Sequence, residues 1–469
     1  LERAAAGTYS SIEAILTKNG RERNPSDEER VHQICEVAPN VICIAGGVEG
    51  GATVPVLELV ETVALACSLM DTSMRPQVLY AGNSRLRRHV AKLIKKQTKL
   101  RVAENVRPIL TEENLASAQA ELDLLYVQEK MQLLPGIETV SSWSPVPLTP
   151  TASAFGRLIQ YLWHLGDPDK GVLGVDLGAA NTTVAAVFDG RLLLTTRDVG
   201  TAFGGEELVQ EQGAESLTRW LPQPMSGDEA RGLLINKKMC PTSIPQEPRE
   251  LQFEQALARE AIRATLNVAR PGWRTGAAQL YPHLMPLCDT IVVSGGALAH
   301  APNPGQAALI VLDALEPIGI NVLMLDVYQI APMLGKLAAV KPLAAVETLD
   351  SGALVNLATV VTPVGHARRG DTVLNAQVTY EDGSSLHMGV NYGDLEVLPL
   401  PPGQQAILEL RPRRGFDVGL GGPGKGGKQR VSGGLAGLII DARGRPLRLR
   451  YRPEHRHTQV QRWLWDVGG

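Results

Sequence analysis

The sequence predicts an α/β protein with two sheet-containing lobes, followed by an all-β region. Three observations lead to this fold class. Apolar runs, glycine turns and amphipathic helices alternate over residues 40–131, and the same alternation returns over 171–343. From about Leu349, short β-type runs are separated only by turn pairs. Strand–turn–helix alternation is typical of parallel α/β sheets, whereas helix-free runs of short strands indicate a barrel or sandwich.

The predicted domains have three boundaries. Residues 1–140 are expected to form the first α/β lobe, 141–348 the second, and 349–450 the β domain. Residues 134–150 are rich in Pro and Ser and indicate the junction between the lobes. The last residues, 451–469, are expected to form a peripheral tail, with His455 and His457 exposed to solvent.

Composition limits the classes of function. The chain has 469 residues, 44% of them hydrophobic, which is enough for two or three domains with cores. Its formal net charge is only −3, so the composition gives no sign of a basic surface that binds nucleic acid or an anionic membrane. The expected partner is therefore a protein or a small molecule. Five dispersed cysteines predict neither a disulfide framework nor a zinc site.

The absence of a secretory leader and of an apolar run long enough to span a membrane predicts a cytoplasmic protein. The chain opens at Leu1-Glu2-Arg3 without an initiator Met, so a processed or truncated product is expected.

In the first lobe, Ser26 and Glu29 form a capping box that opens a helix through Cys35. Thr111 is predicted to cap a long helix over 112–131. The other predicted elements are strand Asn40–Ala45, helix Val56–Leu69, strand Gln77–Ala81 and helix Ser84–Lys96.

In the second lobe, Thr151 is predicted to cap a helix, and Asp189-Gly190 predicts a tight hairpin between two strands. The predicted strands are Val172–Asp176, Thr183–Phe188, Arg191–Thr196, Asp289–Ser294 and Asn321–Asp326. The predicted helices are Glu206–Gln212, Gly227–Ile235, Leu251–Val268, Gln306–Leu315 and Tyr328–Leu337.

In the β region, the predicted strands are Ala358–Val361, Thr372–Tyr380, Ser385–Val390, Leu395–Leu398, Gln405–Leu410 and Leu435–Asp441. The Gly419–Gly427 stretch resembles a phosphate-binding loop, but Gly426 stands where Ser or Thr is required and no helix follows. A glycine-rich surface loop is the better interpretation. Its Lys425, together with Lys428 and Arg430, is a plausible contact for a partner or an anion.

The segment Gly174–Val184 contains the central chemical motif. A buried strand ends at Asp176, a turn of small residues follows, and a second strand begins. Small side chains let backbone N–H groups approach a phosphate, and an Asp at this position can hold Mg²⁺ through water. An ordinary hairpin with a solvated Asp is the alternative. The predicted phosphate and metal site comprises Asp176 (Mg²⁺ through water), Gly178, Ala179, Ala180, Asn181 and Thr182.

Two later stretches extend this motif: Asp198–Glu207, which contains Gly204-Gly205-Glu206, and Ile291–Ala297, an apolar strand ending in a glycine pair. Their order resembles the second, ribonuclease H-like lobe of the superfamily that contains actin, heat-shock chaperone ATPases and sugar kinases. The resemblance implies that the nucleoside end of ATP or ADP is lined by Gly204, Gly205, Glu206, Gly295, Gly296 and Ala297. Lys237, near a helix end, is either a further nucleotide contact or an ordinary solvated lysine.

The chain also resembles the glutamate mutase L family of accessory proteins. That family accompanies an adenosylcobalamin-dependent mutase and is presumed to use ATP to release damaged cofactor. The resemblance implies a chaperone-like function with a cobalamin-dependent mutase as the partner. The matching stretches are Ala45–Gly51, Tyr80–Asn83, Glu104–Pro108, Pro150-Thr151, Asn236-Lys237, Pro241–Pro245 and Ser294–Gly296.

Two departures from that family bear on activity. The family's phosphate hairpin reads Asp-x-Gly-Gly-Ala-Thr-Thr-Asp, whereas here Ala179, Asn181 and Thr183 replace its second Gly, its first Thr and its second Asp. Residues 1–39 contain no Asp-x-Gly turn, so the first lobe is expected to be incomplete at its amino terminus, whether its hairpin was removed or never existed. At most a weak ATPase is expected, and this chain alone is expected to be inactive.

Three hypotheses remain open from sequence. The first is a nucleotide-binding accessory protein that acts on a partner enzyme. The second is a scaffold that keeps the fold, has lost the chemistry, and contacts a partner or itself. The third is a kinase or hydrolase acting on a small metabolite, for which no catalytic carboxylate can be nominated.

Overall fold

A computed structural model describes residues 1–17, 25–273 and 281–469. The chain folds into two compact units, Leu1–Ser153 and Ala154–Gly469. The break follows the Pro- and Ser-rich segment predicted as the junction, although the predicted boundary lay at 140. Within the described ranges, no helix is both long and apolar enough to cross a membrane.

The first unit contains a small parallel sheet. Its strands are β1 (Val41–Ile44), β2 (Gln77–Tyr80) and β3 (Leu100–Val102), in the order β1-β2-β3. Its helices are α1 (Glu2–Ala5), α2 (Asp27–Val37), α3 (Val54–Leu69), α4 (Arg87–Ile94), α5 (Ala116–Glu129) and α6 (Ile137–Ser142).

Local sequence signals in this unit were largely confirmed, with one exception. Ser26 Oγ accepts the Glu29 N–H and the Glu29 carboxylate accepts the Ser26 N–H, so the predicted capping box opens α2. The prediction that Thr111 caps a helix was wrong, because α5 begins at Ala116. The preceding backbone is held elsewhere: the Asn114 N–H donates to the Val106 carbonyl over 3.0 Å. The three-residue strand β3 was not predicted.

The segments that follow these three strands are linked by hydrogen bonds to one side chain, that of Glu49. Glu49 accepts hydrogen bonds from the Ser84 backbone N–H (3.1 Å) and hydroxyl and from the Asn105 amide (2.8 Å). These hydrogen bonds lower the Glu49 pKa, with the Ser84 hydroxyl contributing most. Three motifs that are distant in sequence therefore meet at one sheet edge.

The second unit is larger, and α7 (Thr151–Leu165) crosses the break between the units. Its other helices are α8 (Gly205–Gln212), α9 (Glu215–Thr218), α10 (Gly227–Met239), α11 (Pro248–Ala269), α12 (Gly296–Ala299), α13 (Pro304–Leu315), α14 (Ala331–Val340), α15 (Pro342–Asp350) and α16 (Pro453–Asp466). Its strands are β4 (Gly171–Leu177), β5 (Thr182–Phe188), β6 (Arg191–Arg197), β7 (Cys288–Ser294), β8 (Gly319–Leu325), β9 (Val355–Thr362), β10 (Thr372–Tyr380), β11 (Ser385–Asn391), β12 (Leu395–Leu398), β13 (Gln405–Pro412), β14 (Gly427–Ser432) and β15 (Leu438–Asp441).

Eight of these strands form one mixed sheet in the order β12-β15-β9-β8-β7-β4-β5-β6. Strands β4, β5 and β6 are an antiparallel meander, and β7 and β8 add to β4 in parallel. The order β6-β5-β4-β7-β8 is the ribonuclease H-like arrangement predicted for the second lobe. The Asp189-Gly190 turn was also predicted, and its φ angles of +51° and +75° match a type I′ hairpin.

The strands after 349 divide between two sheets. Strands β9, β12 and β15 extend the mixed sheet, whereas β11-β10-β13-β14 form a separate antiparallel sheet. Val373, Leu408 and Phe416 belong to the core beneath this small sheet. The fold class is therefore mixed α/β with a C-terminal antiparallel sheet, as predicted, and three of the strands from the region predicted as a β-barrel or sandwich belong to the mixed sheet. Strand β14 was not predicted.

The C-terminal segment is not a peripheral tail. Helix α16 buries Val460, Trp463 and Leu464 in the main core of the second unit, and Val467, directly after the helix, is buried there too. His457 is also not freely solvated, since its Nδ1 lies 2.8 Å from the Leu221 carbonyl oxygen. The i, i+3, i+4, i+7 spacing of the four apolar residues was the available signal for a buried helix face.

Candidate functional site

The candidate site lies where the parallel strands of the mixed sheet end. Strands β4, β7 and β8 run in the same direction, and Asp176 pairs in register with Ser294. Asp326 directly follows β8, and its N–H donates to the Val293 carbonyl over 2.9 Å. The three residues therefore meet at the carboxyl edge of the sheet, where open α/β sheets bind ligands.

Asp326 is the principal site residue that the sequence analysis missed. Its side chain is fully buried and accepts the Ser294 hydroxyl over 2.9 Å. It also accepts the backbone N–H groups of Ile330 and Ala331, over 2.9 and 2.8 Å, which fixes the start of α14. Its position directly after a buried strand was the available signal, but a strand-terminal Asp is common in turns.

The Asp176 carboxylate lies in an unfavourable environment for a charge. Burial, and secondarily the charge of Asp326, raises the Asp176 pKa to about 6, and a hydrogen bond from Ser294 only partly offsets this. The Ser294 hydroxyl has one proton and donates it to Asp326, so it cannot fully satisfy both carboxylates. Asp176 therefore has unmet capacity for a cation or a hydrogen-bond donor.

The predicted phosphate hairpin is supported by a second backbone segment. Within the hairpin, the Gly178 N–H donates to the Asn181 carbonyl over 2.9 Å. The N–H groups of Thr201 and Ala202 donate to the carbonyls of Gly178 and Ala179, over 3.1 and 2.9 Å. Ala179 and Ala180 lie exposed at the tip. These hydrogen bonds hold the backbone of the tip in place. The exposed side chains of Ala179 and Ala180 are only methyl groups.

Of the three residues that depart from the family pattern, Thr183 is buried, as is its neighbour Thr182. Thr183 is 1% exposed, and its hydroxyl lies 3.1 Å from that of Thr196 on the neighbouring strand. Thr182 donates its hydroxyl to the Val199 carbonyl over 2.7 Å. The position of the family's second Asp is thus occupied by a buried threonine pair.

The residues predicted for the nucleoside end are held by close packing and ion pairs. Gly204 has φ of +78°, and a Cβ there would lie 2.1 Å from the Asp198 carbonyl oxygen. Glu206 pairs with Lys238 over 2.5 Å. The Lys237 ammonium donates to the Ser243 carbonyl (2.6 Å) and to Glu254 (3.0 Å). A role for Lys237 at a nucleotide remains a prediction, and it would require these contacts to break.

Gly295 and Gly296 make a matched pair for mutation. Gly295 has φ of +113°, and a Cβ there would lie 2.0 Å from the Leu177 carbonyl oxygen, whereas a Cβ on Gly296 meets open space. We expect Gly295→Ala to lower the free energy of unfolding by about 2–3 kcal/mol, because backbone must move beside Asp176. Gly296→Ala is expected to change it by less than about 0.5 kcal/mol. Guanidinium denaturation followed by circular dichroism measures both, and equal effects would contradict the close approach of Gly295 to β4.

Metal ligation by protein atoms alone has little support in this region. Across the described residues, no three His, Cys, Asp or Glu side chains cluster closely enough to hold a metal ion. Mg²⁺, however, keeps most of its water and commonly needs only one or two carboxylates plus phosphate oxygens. The single exposed edge of Asp176 is compatible with that second mode.

Strand order defines the second unit as a ribonuclease H-like lobe, the fold implied by its sequence resemblance to the superfamily of actin, heat-shock chaperones and sugar kinases. More specifically, the chain belongs to the MutL protein family, the glutamate mutase L family, whose model matches residues 2–352. No curated protein sequence matches the chain.

Comparison with solved structures gives only weak similarity. The Clostridium difficile activator of 2-hydroxyisocaproyl-CoA dehydratase, with bound ADPNP, is 12% identical over 50% of this chain and 84% of its own (TM-score 0.24). Component A of the Acidaminococcus fermentans (R)-2-hydroxyglutaryl-CoA dehydratase is 11% identical over 61% and 82% (TM-score 0.21). Acetate kinase from Entamoeba histolytica is 10% identical over 67% and 83% (TM-score 0.22). Scores this low do not establish a shared fold, so the fold assignment depends on strand order.

Proposed function

We propose that this protein is a nucleotide-binding accessory protein that acts on a partner enzyme. The observation that supports this most directly is the hydrogen-bonded hairpin tip, whose exposed residues Ala179 and Ala180 lie beside a partly exposed Asp176. In the described part of the chain, the backbone N–H groups of these two alanines make no hydrogen bond to another backbone group. Unpaired N–H groups on a tight turn are suited to phosphate oxygens.

ATP or ADP with Mg²⁺ is the ligand that best fits these features. The phosphates would lie over Gly178–Asn181, where the exposed Ala179 and Ala180 carry no side-chain atom beyond Cβ. Asp176 would hold the hydrated Mg²⁺, which supplies charge neutralisation for the phosphates. Gly295–Ala297 and Gly204–Glu206 would line the nucleoside, since four of these six residues are glycines and glycine lets a ligand approach the backbone closely.

Binding without efficient hydrolysis is the expected behaviour. Thr183 occupies the position of the family's second Asp, and its buried hydroxyl is already paired with Thr196. Positioning groups supply much of phosphoryl-transfer catalysis, so losing one lowers turnover more than affinity. A nucleotide-controlled, chaperone-like contact with a cobalamin-dependent mutase, as in the family to which the chain belongs, is the partner function that we infer.

A scaffold without nucleotide binding is the second candidate. The same Thr183–Thr196 pair favours it, because a neutral buried pair stabilises the sheet and contributes nothing at a ligand. The ion pairs of Lys237 and of Glu206 with Lys238 are likewise complete without a nucleotide. The two candidates differ in one measurable property, which is affinity for Mg–ADP.

Titration calorimetry with Mg–ADP tests the proposal. We expect saturable binding by the full chain, and Ala180→Glu is expected to weaken it at least about tenfold, because a carboxylate placed near phosphates is repelled by several kcal/mol. Ala120→Glu, which adds the same charge at an exposed position of α5, is the matched control and should bind as the parent does.

Two outcomes would overturn the proposal. Absence of binding heat in the parent protein, with its fold intact by circular dichroism, would favour the scaffold. Equal binding by the parent and Ala180→Glu would place any nucleotide away from the hairpin.

A further inference from the structure

The small antiparallel sheet carries an unusual distribution of charge. Its β13–β14 ribbon, residues 405–432, contains six basic and two acidic residues, although the whole chain has a net charge of −3. All six basic side chains are exposed. We call this surface the cationic ribbon, and its basic residues are Arg411, Arg413, Arg414, Lys425, Lys428 and Arg430.

The acidic residues of the ribbon do not neutralise it at the surface. Glu409 is already engaged by two cations: Arg411 donates both Nε and Nη2 to its Oε1, and the Lys428 ammonium lies 3.3 Å from its Oε2. Asp417 is buried and accepts the Gly419 N–H over 2.8 Å. Arg414, Lys425 and Arg430 are left as exposed positive charges.

The loop between β9 and β10, residues 363–371, extends the positive region. Arg413 reaches this loop through an ion pair with Asp371 over 3.2 Å. Within the loop, burial lowers the Arg369 pKa, and the neighbouring positive charges of Arg450 and Arg462 lower it further despite Asp394. Cations that disfavour one another in this way produce a positive potential, which attracts anionic partners.

A groove of about 300 Å³ crosses the outer face of the same sheet. Gly389 leaves a gap on its β11 side, opposite Asn375. The side-chain amides of Asn375 and Gln377 face the groove and form no hydrogen bond with another described residue. Arg411, His387 and the ion-paired Glu409 also line it. The groove therefore offers unpaired donors directly beside the cationic ribbon.

We propose that this face docks an acidic polypeptide segment of a partner protein. Carboxylates suit it because Arg411 already binds Glu409 through two N–H groups, and the remaining guanidinium groups present the same fork. The groove amides can then bind backbone or side-chain carbonyls. Single-stranded nucleic acid fits less well, since Tyr380, Tyr392 and Phe416 pack towards the core and are not available on this face for bases to stack on.

The surface lies beyond residues 2–352, the part of the chain that the family model matches. It therefore adds a partner contact that the nucleotide site does not require. The proposal does not depend on nucleotide binding, because its test measures the affinity of the protein for a peptide with no nucleotide present.

Fluorescence anisotropy with a labelled peptide of about twelve residues, rich in Glu and Asp, measures the affinity at about 50 mM salt. The triple reversal Arg414→Glu/Lys425→Glu/Arg430→Glu is expected to weaken binding at least about thirtyfold. Its matched control, Lys92→Glu/Lys95→Glu/Lys96→Glu on and after α4, makes the same change in net charge and should weaken binding less than about threefold. Gly389→Val fills the groove without changing charge and is expected to weaken binding about fivefold.

Several results would overturn the proposal. They are absence of peptide binding by the parent protein, equal losses in the two triple reversals, and an unchanged affinity in Gly389→Val. Tighter binding of an oligonucleotide of equal charge, lost in the same triple reversal, would assign the face to nucleic acid instead. Circular dichroism of each variant establishes that the small sheet is intact.

Discussion

Replacing Arg443 by methionine is expected to lower the free energy of unfolding of the second unit by about 3–5 kcal/mol. Arg443 is fully buried between two carboxylates. It donates Nε and Nη2 to Asp441, over 2.8 and 2.9 Å, and Nη1 to Asp313 over 2.7 Å. Methionine keeps the apolar volume but leaves both carboxylates short of a partner, and an uncompensated buried charge is costly.

The network joins four separate parts of the second unit. Arg259 of α11 donates to Asp313 of α13 over 2.8 Å, and Arg445 donates to Asp441 over 2.7 Å. The Arg443 guanidinium also lies 4.5 Å from the ring centroid of Trp463 in α16. Burial alone would raise the Asp441 pKa, but the charges of Arg443 and Arg445 outweigh it and hold the pKa well below its usual range. Asp441 is therefore charged in the folded state at neutral pH.

Guanidinium denaturation of Arg443→Met measures the loss. Hydrogen exchange should localise it to peptides that cover β15 and α16, because these elements lose their tie to α11 and α13. The control is Arg231→Met, which removes an exposed ion pair with Asp228 and should cost less than about 0.5 kcal/mol. A loss below about 1 kcal/mol in Arg443→Met would show that the network is not needed for stability.

Replacing Asp176 by asparagine is expected to have two opposite effects. The variant should bind Mg–ADP at least about tenfold more weakly than the parent, because an amide cannot neutralise the hydrated cation. The nucleotide-free variant should be more stable than the parent above about pH 6, because the repulsion between Asp176 and Asp326 is removed. Loss of function with a gain in stability is typical of a strained functional site.

The pH dependence follows from the direction of the shift. The Asp176 pKa is raised to about 6 in the folded protein, above its value in the unfolded chain. The folded state therefore binds this proton more tightly, so the Asp176 contribution favours folding at low pH. That contribution is lost as the pH rises from about 4 to about 6. The stability advantage of Asp176→Asn over the parent should therefore increase over the same pH interval.

Thermal unfolding at about pH 5 and about pH 8, with and without Mg–ADP, tests both effects. Asp169→Asn, at an exposed carboxylate before β4, is the control and should show neither effect. A variant that is less stable than the parent at the higher pH would contradict the environment inferred for Asp176. Unchanged affinity for Mg–ADP would remove Asp176 from the proposed metal site.

Much of the fold could be predicted from the sequence because its signals are local. The Asp189-Gly190 turn needs two positive φ angles, which those residues adopt at low cost. The Ser26–Glu29 capping box depends on residues three apart. The hairpin after Asp176 likewise lies within one short segment, so the pattern of its residues is enough to identify it as a candidate site.

The sequence by itself determined the alternation of strands and helices, the ribonuclease H-like order of the second lobe, the family, and the Asp176 hairpin. The tertiary structure decided what surrounds them. Asp326 meets Asp176 through Ser294, Arg443 meets Asp313 across 130 residues, and β9, β12 and β15 join the mixed sheet rather than a separate domain. The physical reason is one of range: dihedral preference and side-chain periodicity act within a few residues, whereas strand partners and buried ion pairs are selected by the packing of segments far apart in the chain.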